Sequence, residues 1–182
     1  GLAKKIIAAD LSPEVCDTVK KLGIADAAMS DIRQSVVGSD FVVLCIPVGA
    51  FAEIGEIIGP ALKSGAVVTD VGSVKKSIID TFQPWVPDSC SFVGGHPIAG
   101  TEFSGPESGF AELFEGRWCV LTPTADTDIK AVEAVTKFWE GCGSTIEIMD
   151  PAHHDLVLAV TSHAPHLIAY TMVGVADDLS RV

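Results

Sequence analysis

Positive charge is scarce in this chain: 12 Lys+Arg stand against 24 Asp+Glu, a formal net charge of -12. An acidic surface repels phosphate backbones and anionic headgroups, so neither nucleic acid nor a membrane is expected as a partner. No Cys-x-x-Cys pair occurs, and the five cysteines, Cys16, Cys45, Cys90, Cys119 and Cys142, are odd in number. Three of them sit in apolar runs, where a free thiol behaves as a small hydrophobe. That usage suits a reducing cytoplasm. There is no signal-peptide pattern, and no apolar run long enough to span a bilayer is expected. His-Glu-x-x-His is missing, which removes the commonest helical zinc signature. Gly-x-Gly-x-x-Gly is missing too, so the turn that cradles a pyrophosphate in dinucleotide folds cannot be placed.

What is present is a chain of 182 residues, 48% hydrophobic, enough to bury a sizeable core as one domain and a piece of a second. Ile6-Ile7-Ala8-Ala9 is a short buried-strand pattern ending at Asp10. Ser12-Pro13-Glu14 then starts a helix, with Ser12 as N-cap, Val15, Val19 and Leu22 as its inner face, and Gly23 as its stop. A short helix is expected over 31–37, a strand over 41–46 closed by Pro47-Val48, and a helix over 51–58. A strand over 65–70 follows, turning through Val71-Gly72-Ser73 into a helix near Lys75. Ser91-Phe92-Val93 predicts a strand leading into a flexible Gly94-Gly95 turn. Next come a helical turn over 111–114 and a strand over 117–122. The helix expected over 128–142 has Ile129, Val132, Val135, Phe138 and Trp139 as core and Gly141 and Gly143 as its stop; a last strand covers 145–149. Beyond Asp150-Pro151 the pattern is helical only. This alternation predicts an α/β fold: a doubly wound, mostly parallel, Rossmann-type sheet over 1–150, then helix over 151–182.

Chemistry concentrates at strand ends. An acidic residue such as Asp10 at the end of a strand is where dinucleotide folds hold the adenosine ribose; a surface turn residue is the alternative. No arginine follows in Leu11-Ser12 to pair with a 2'-phosphate, which favours NAD over NADP. The Gly94-Gly95 segment delivers His96 to the carboxyl edge of the sheet, where ligands of open α/β folds gather. Histidine accepts a proton near neutrality with little tuning, although a turn histidine bonded to a backbone carbonyl would look the same in sequence. His153-His154-Asp155 and His163-x-x-His166 invite a metal, since histidines at i, i+3 share a helix face. With the cysteines scattered, no metal is expected.

His96-Pro97-Ile98-Ala99-Gly100-Thr101-Glu102, with Ser104-Gly105-Pro106-Glu107 and Gly109-Phe110, resembles the central motif of the prephenate/arogenate (cyclohexadienyl) dehydrogenases. Leu44-Cys45-Ile46-Pro47-Val48, Asp70-Val71-Gly72-Ser73-Val74-Lys75 and Ser162-His163-Ala164-Pro165-His166 fit the same family in the same order. The resemblance implies NAD-dependent oxidative decarboxylation of prephenate or arogenate in tyrosine biosynthesis. It implies His96 as proton acceptor, Ser73 as a catalytic residue orienting the reacting hydroxyl, and Ser73, His96, Gly100, Thr101 and His163 about the substrate. Asp10, Cys45, Ile46, Pro47, Val71 and Gly72 would contact the cofactor. His153 and His154 are expected as polar residues at a helix start, and His166 within its helix. The helix after Asp150 would begin an α-helical domain used for homodimerisation. The family's carboxylate-binding arginine has no counterpart in a matching motif; Arg117 and Arg181 are the nearest candidates and neither is assigned. A start at Gly1 and a stop at Val182 inside a helical pattern suggest a piece of a longer cytoplasmic protein.

Two other readings remain at this point: a β-hydroxyacid or imine-reductase type dehydrogenase, which usually relies on a lysine in its helical part, and a non-catalytic dinucleotide-binding regulatory domain. Prephenate or arogenate preference, and any feedback by tyrosine, are not encoded legibly.

Overall fold

The computed structural model describes residues 2–101 and 103–180; Gly1, Glu102, Arg181 and Val182 lie outside the described residues. The elements alternate as strand β1 (Ile7–Ala9), helix α1 (Pro13–Leu22), β2 (Ala27–Met29), α2 (Ile32–Val36), β3 (Phe41–Leu44), α3 (Phe51–Ile58), β4 (Val67–Asp70) and α4 (Lys76–Phe82). They continue as β5 (Ser91–Pro97), β6 (Trp118–Thr122), α5 (Ile129–Gly141), β7 (Thr145–Ile148), α6 (Pro151–Leu158) and α7 (Ala164–Ser180). The expected α/β class is observed. Five strands form one sheet in the order β3-β4-β5-β6-β7, all parallel except β5 against β6.

The other two strands stand apart. β1 and β2 pair in parallel as a separate two-stranded sheet, Ile7 opposite Ala27 and Ala9 opposite Met29. Sequence reading placed one continuous sheet here and did not foresee β2. Among the described residues β1 and β2 are the edge strands of the small sheet, and β3 and β7 those of the larger one.

Local chemistry explains the elements. Ser12 caps α1 by accepting the Val15 amide at 3.3 Å, Pro13 opens the helix, and Gly23 ends it at φ 67°. The inner face of α1 is Cys16 and Val19; Leu22, expected there, is 51% exposed because it lies past the last buried turn. Ile129 is likewise 67% exposed at the first position of α5, while Ala131, Val132, Val135 and Trp139 are buried. Two apolar clusters lie on the five-stranded sheet. One joins Phe51, Ile58, Val68, Ile78, Phe82 and Phe92; the other joins Val93, Cys119, Leu121, Val135 and Trp139.

Gly94 and Gly95 do not form a turn. They lie buried inside β5, which continues through His96 to Pro97 and pairs antiparallel with β6. A Cβ on Gly95 would sit 2.8 Å from the Asp70 carbonyl oxygen, and one on Gly94 would sit 2.5 Å from Thr122 Oγ1. Glycine is needed there for close approach of strands, not for bending.

The C-terminal helices join through a π-type turn (Ala159–His163) into one helix, Pro151–Leu179, of 29 residues. This corrects the expectation that no apolar run is long enough to span a bilayer. His163 and His166 break the run letter by letter, yet among the described residues this one helix is long and apolar enough to cross a membrane by length and composition. Its most apolar stretch is almost entirely exposed.

Candidate active site

β3, β4 and β5 run in the same direction, so Cys45, Val71 and His96 come to one edge of the sheet. Beneath that edge lies an ion pair. The Lys75 ammonium contacts the Asp70 carboxylate, and both side chains are fully buried. Lys75 Nζ also donates to the Gly95 carbonyl at 2.7 Å. Asp70 accepts the Gly95 amide at 3.0 Å and the Gly72 amide at 2.8 Å. Burial pulls each group toward its neutral form, and their mutual contact and the backbone donors oppose it. Geometrically the pair ties the turn after β4 to the residue preceding His96. A Cβ on Gly72 would meet Asp70 Oδ2 at 2.9 Å, so this turn too depends on glycine.

His96 is half-buried, and its ring meets a second imidazole. Nδ1 of His96 lies 2.9 Å from Nε2 of His154, with the ring planes 70° apart. Nδ1 of the fully buried His154 lies 2.8 Å from Asp155 Oδ1. Asp155 in turn accepts the amide of Lys75 on Oδ1 at 2.7 Å and that of Lys76 on Oδ2 at 3.0 Å. Those amides open α4, whose own first residues supply no side-chain cap. Partial burial works against ionisation of Asp155, but the two amides and the His154 ring outweigh it and hold the carboxyl below its usual range.

Burial, followed by the His154 ring, the Lys75 ammonium and His163, pushes His96 down to about 4, with Asp155 opposing. His154 is lowered mainly by burial, against the pull of Asp155. Both shifts favour the neutral ring at pH 7. Cys119, against the His96 backbone, is pushed up to about 12 by burial and stays a thiol.

The residues anticipated from sequence fall in two groups. Val71, Gly72 and the exposed Ser73 form the turn after β4. His163 is exposed in the π-type turn, near enough to bear electrostatically on His96. Gly100 and Thr101 lie on the exposed loop after β5, where the Thr101 hydroxyl exchanges hydrogen bonds with Phe103 of the same loop. Asp10 is exposed just past β1, with one oxygen accepting the Ser12 amide at 2.8 Å. Across a cavity of about 410 Å³ from Ala8, Ala9 and Asp10 lie Cys45 and Pro106. Cys45 is followed by Ile46, half-buried against the core, and the exposed Pro47. His153 and His166 are exposed, and Arg117 is exposed at the head of β6.

Sequence reasoning missed Asp70, Lys75, His154 and Asp155. In sequence His154 reads only as a polar residue at a helix start, and Asp155 only as a member of a possible metal group with His153 and His154. Nothing local marks His154 as buried while His153 beside it is exposed; that follows from the packing of α6 on α4.

Comparison with known proteins bears on this arrangement. Residues 1–148 match the family model described as prephenate dehydrogenase, nucleotide-binding domain. A cyclohexadienyl dehydrogenase of Zymomonas mobilis is 43% identical over 172 residues, covering 94% of this chain and 58% of the relative. The crystal structure of a prephenate dehydrogenase from Aquifex aeolicus superposes with a TM-score of 0.90 at 38% identity, covering 98% of this chain and 64% of that one. The A. aeolicus enzyme in complex with hydroxyphenyl propionate and NAD+ gives a TM-score of 0.88 at 39% identity, covering 96% and 61%. The chain spans about half the length of the curated relatives it matches.

Proposed function

The chain belongs to the prephenate dehydrogenase nucleotide-binding domain family, and we propose that it supplies the NAD-binding part and the proton acceptor of an enzyme that oxidatively decarboxylates prephenate or arogenate. The observation that carries this reading is the place of His96: an imidazole at the end of β5, directly after Gly95, whose amide and that of Gly72 in the Val71-Gly72-Ser73 turn are both held by Asp70.

Residues 1–150 form the dinucleotide-binding unit in this reading. The cavity between the two sheets fits the adenosine end of the cofactor, because small side chains at Ala8, Ala9 and Ala28 leave room and Asp10 offers a carboxylate to ribose hydroxyls. That carboxylate, with no arginine beside it, disfavours a 2'-phosphate. Cys45, Ile46, Pro47, Val71 and Gly72 line the path from there toward His96. The chemistry the bound nicotinamide supplies is acceptance of the hydride that leaves the hydroxyl-bearing ring carbon.

The protein's own work is placement and proton handling. His96 takes the hydroxyl proton as the carbon–oxygen bond becomes a carbonyl. The bond to the ring carboxylate then breaks, carbon dioxide departs, and its electron pair restores the aromatic ring, whose oxygen recovers a proton. Ser73 orients the hydroxyl, while Gly100, Thr101 and His163 border the substrate. The NAD-complexed A. aeolicus relative supports this reading.

Residues from 151 onward begin the second, helical unit. The exposed face of α7, with Leu167, Ile168, Met172, Val175 and Leu179 along a groove of about 510 Å³, is covered by a second copy of the chain in a homodimer. The free thiols suit the cytoplasm.

Following reduced-nicotinamide formation by the intact protein, with prephenate and arogenate and with NAD and NADP, tests the proposal. Turnover with NAD and one or both substrates is expected; no turnover with either substrate would overturn it.

A further inference from the structure

We propose that His154 and Asp155 are positioning residues that lock His96 in a single tautomer, with its proton on Nδ1 and its lone pair on Nε2 toward the substrate. The inference rests on His96 being the proton acceptor, and it adds which of its two nitrogens accepts and what enforces the choice.

An ionised carboxylate only accepts hydrogen bonds, and Asp155 accepts from the Lys75 amide, the Lys76 amide and the His154 ring. His154 must therefore carry a proton on Nδ1. A neutral imidazole with a proton on one nitrogen offers only a lone pair on the other, so His154 Nε2 can only accept. The 2.9 Å contact from His96 Nδ1 to that atom then requires the proton on His96 Nδ1. What remains on His96 is the Nε2 lone pair, the acceptor the reaction needs.

The chain of contacts ends on rigid structure. Asp155 is held by two backbone amides at the start of α4, and Lys75, which provides one of them, is anchored through its side chain to Asp70 and to the carbonyl of Gly95, the residue before His96. His96 and the group that orients it are thus fixed to the same framework. Asp155 never touches substrate in this account; it acts through His154. The logic matches that of a buried carboxylate orienting a catalytic histidine in hydrolases.

Long-range proton–nitrogen NMR correlations of the imidazoles in the intact, nitrogen-15-labelled protein at pH 7 test the assignment without any substitution at these positions. With five histidines in the chain, single substitutions at the exposed His153, His163 and His166 assign the remaining signals. Both His96 and His154 are expected to carry protons on Nδ1. A proton on Nε2 of His96 overturns the proposal. In parallel, Asp155→Ala removes the acceptor that sets the tautomer, so kcat should fall by ~10²–10⁴ while NAD binding stays within a few-fold. His154→Gln, which keeps an acceptor for His96 Nδ1, should retain more kcat than Asp155→Ala. An unchanged kcat in Asp155→Ala also overturns it. If the protein turns over neither substrate, the function assigned to the site fails, while the NMR result still decides the tautomer.

Discussion

Asp155 and Lys75 lie 80 positions apart, yet Asp155 Oδ1 is 2.7 Å from the Lys75 backbone nitrogen. A carboxylate on α6 thereby caps the start of α4, a helix with no side-chain cap of its own. The contact holds the first helix after residue 150 to the strand-rich part of the chain, and it does so beside His96.

Removing that cap should loosen both partners. Asp155→Ala leaves the Lys75 and Lys76 amides and the buried His154 Nδ1 without their acceptor. A loss of about 1–3 kcal/mol is expected, from the combined value of a helix cap and a satisfied buried donor. Urea unfolding of the variant and the parent checks this; equal midpoints would show that the cap contributes nothing.

The Lys75–Asp70 pair should be far more sensitive to losing one member than both. Lys75→Met leaves a fully buried carboxylate without its cation, at a cost of about 3–5 kcal/mol. Adding Asp70→Asn, which keeps a polar group for the Gly72 and Gly95 amides, should recover part of that loss. A double-mutant cycle in denaturant measures the coupling. Additive losses would mean that the two groups do not act as a pair.

Acid should destabilise the fold through the imidazoles. His96 moves from 6.5 down to about 4 on folding, so between those values the unfolded chain binds more protons than the folded one. Stability then rises with pH across that window and is lost as pH falls from about 6.5 toward about 4. His154 is shifted in the same direction. The groups facing His96 are His154, Asp155, Lys75, His163 and Cys119. Thermal unfolding across this range checks the sign, and His96→Asn should flatten the slope. An unaltered slope in that variant would contradict the assignment.

Much of the fold was legible because its signals are local. Ser12 and Gly23 bracket α1 through their own backbone chemistry, and Phe51–Ile58 shows helical periodicity without interruption. β2 was not legible, since Ala27-Ala28-Met29 has neither β-branched nor aromatic residues and is a strand only because β1 lies beside it. Gly94-Gly95 misled for the opposite reason: a glycine pair signals a turn locally, whereas here it reflects crowding from Asp70 and Thr122 on neighbouring strands. His96 could be picked out by its motif. Its orienting partners could not, because the His96–His154 contact spans 58 positions and depends on how α6 docks.

In the proposed reading, cofactor choice follows from Asp10. In the intact protein kcat/KM should be higher with NAD than with NADP, and Asp10→Asn should narrow the gap by removing repulsion of a 2'-phosphate. A preference for NADP in the parent protein would place the adenosine elsewhere.

The central claim is that His96 accepts the substrate proton. The most direct measurement is steady-state turnover of His96→Asn in the intact protein, together with NAD affinity. The account predicts that kcat falls by ~10²–10⁴ while NAD binding is little changed. A kcat within a few-fold of the parent protein would show that another group accepts the proton.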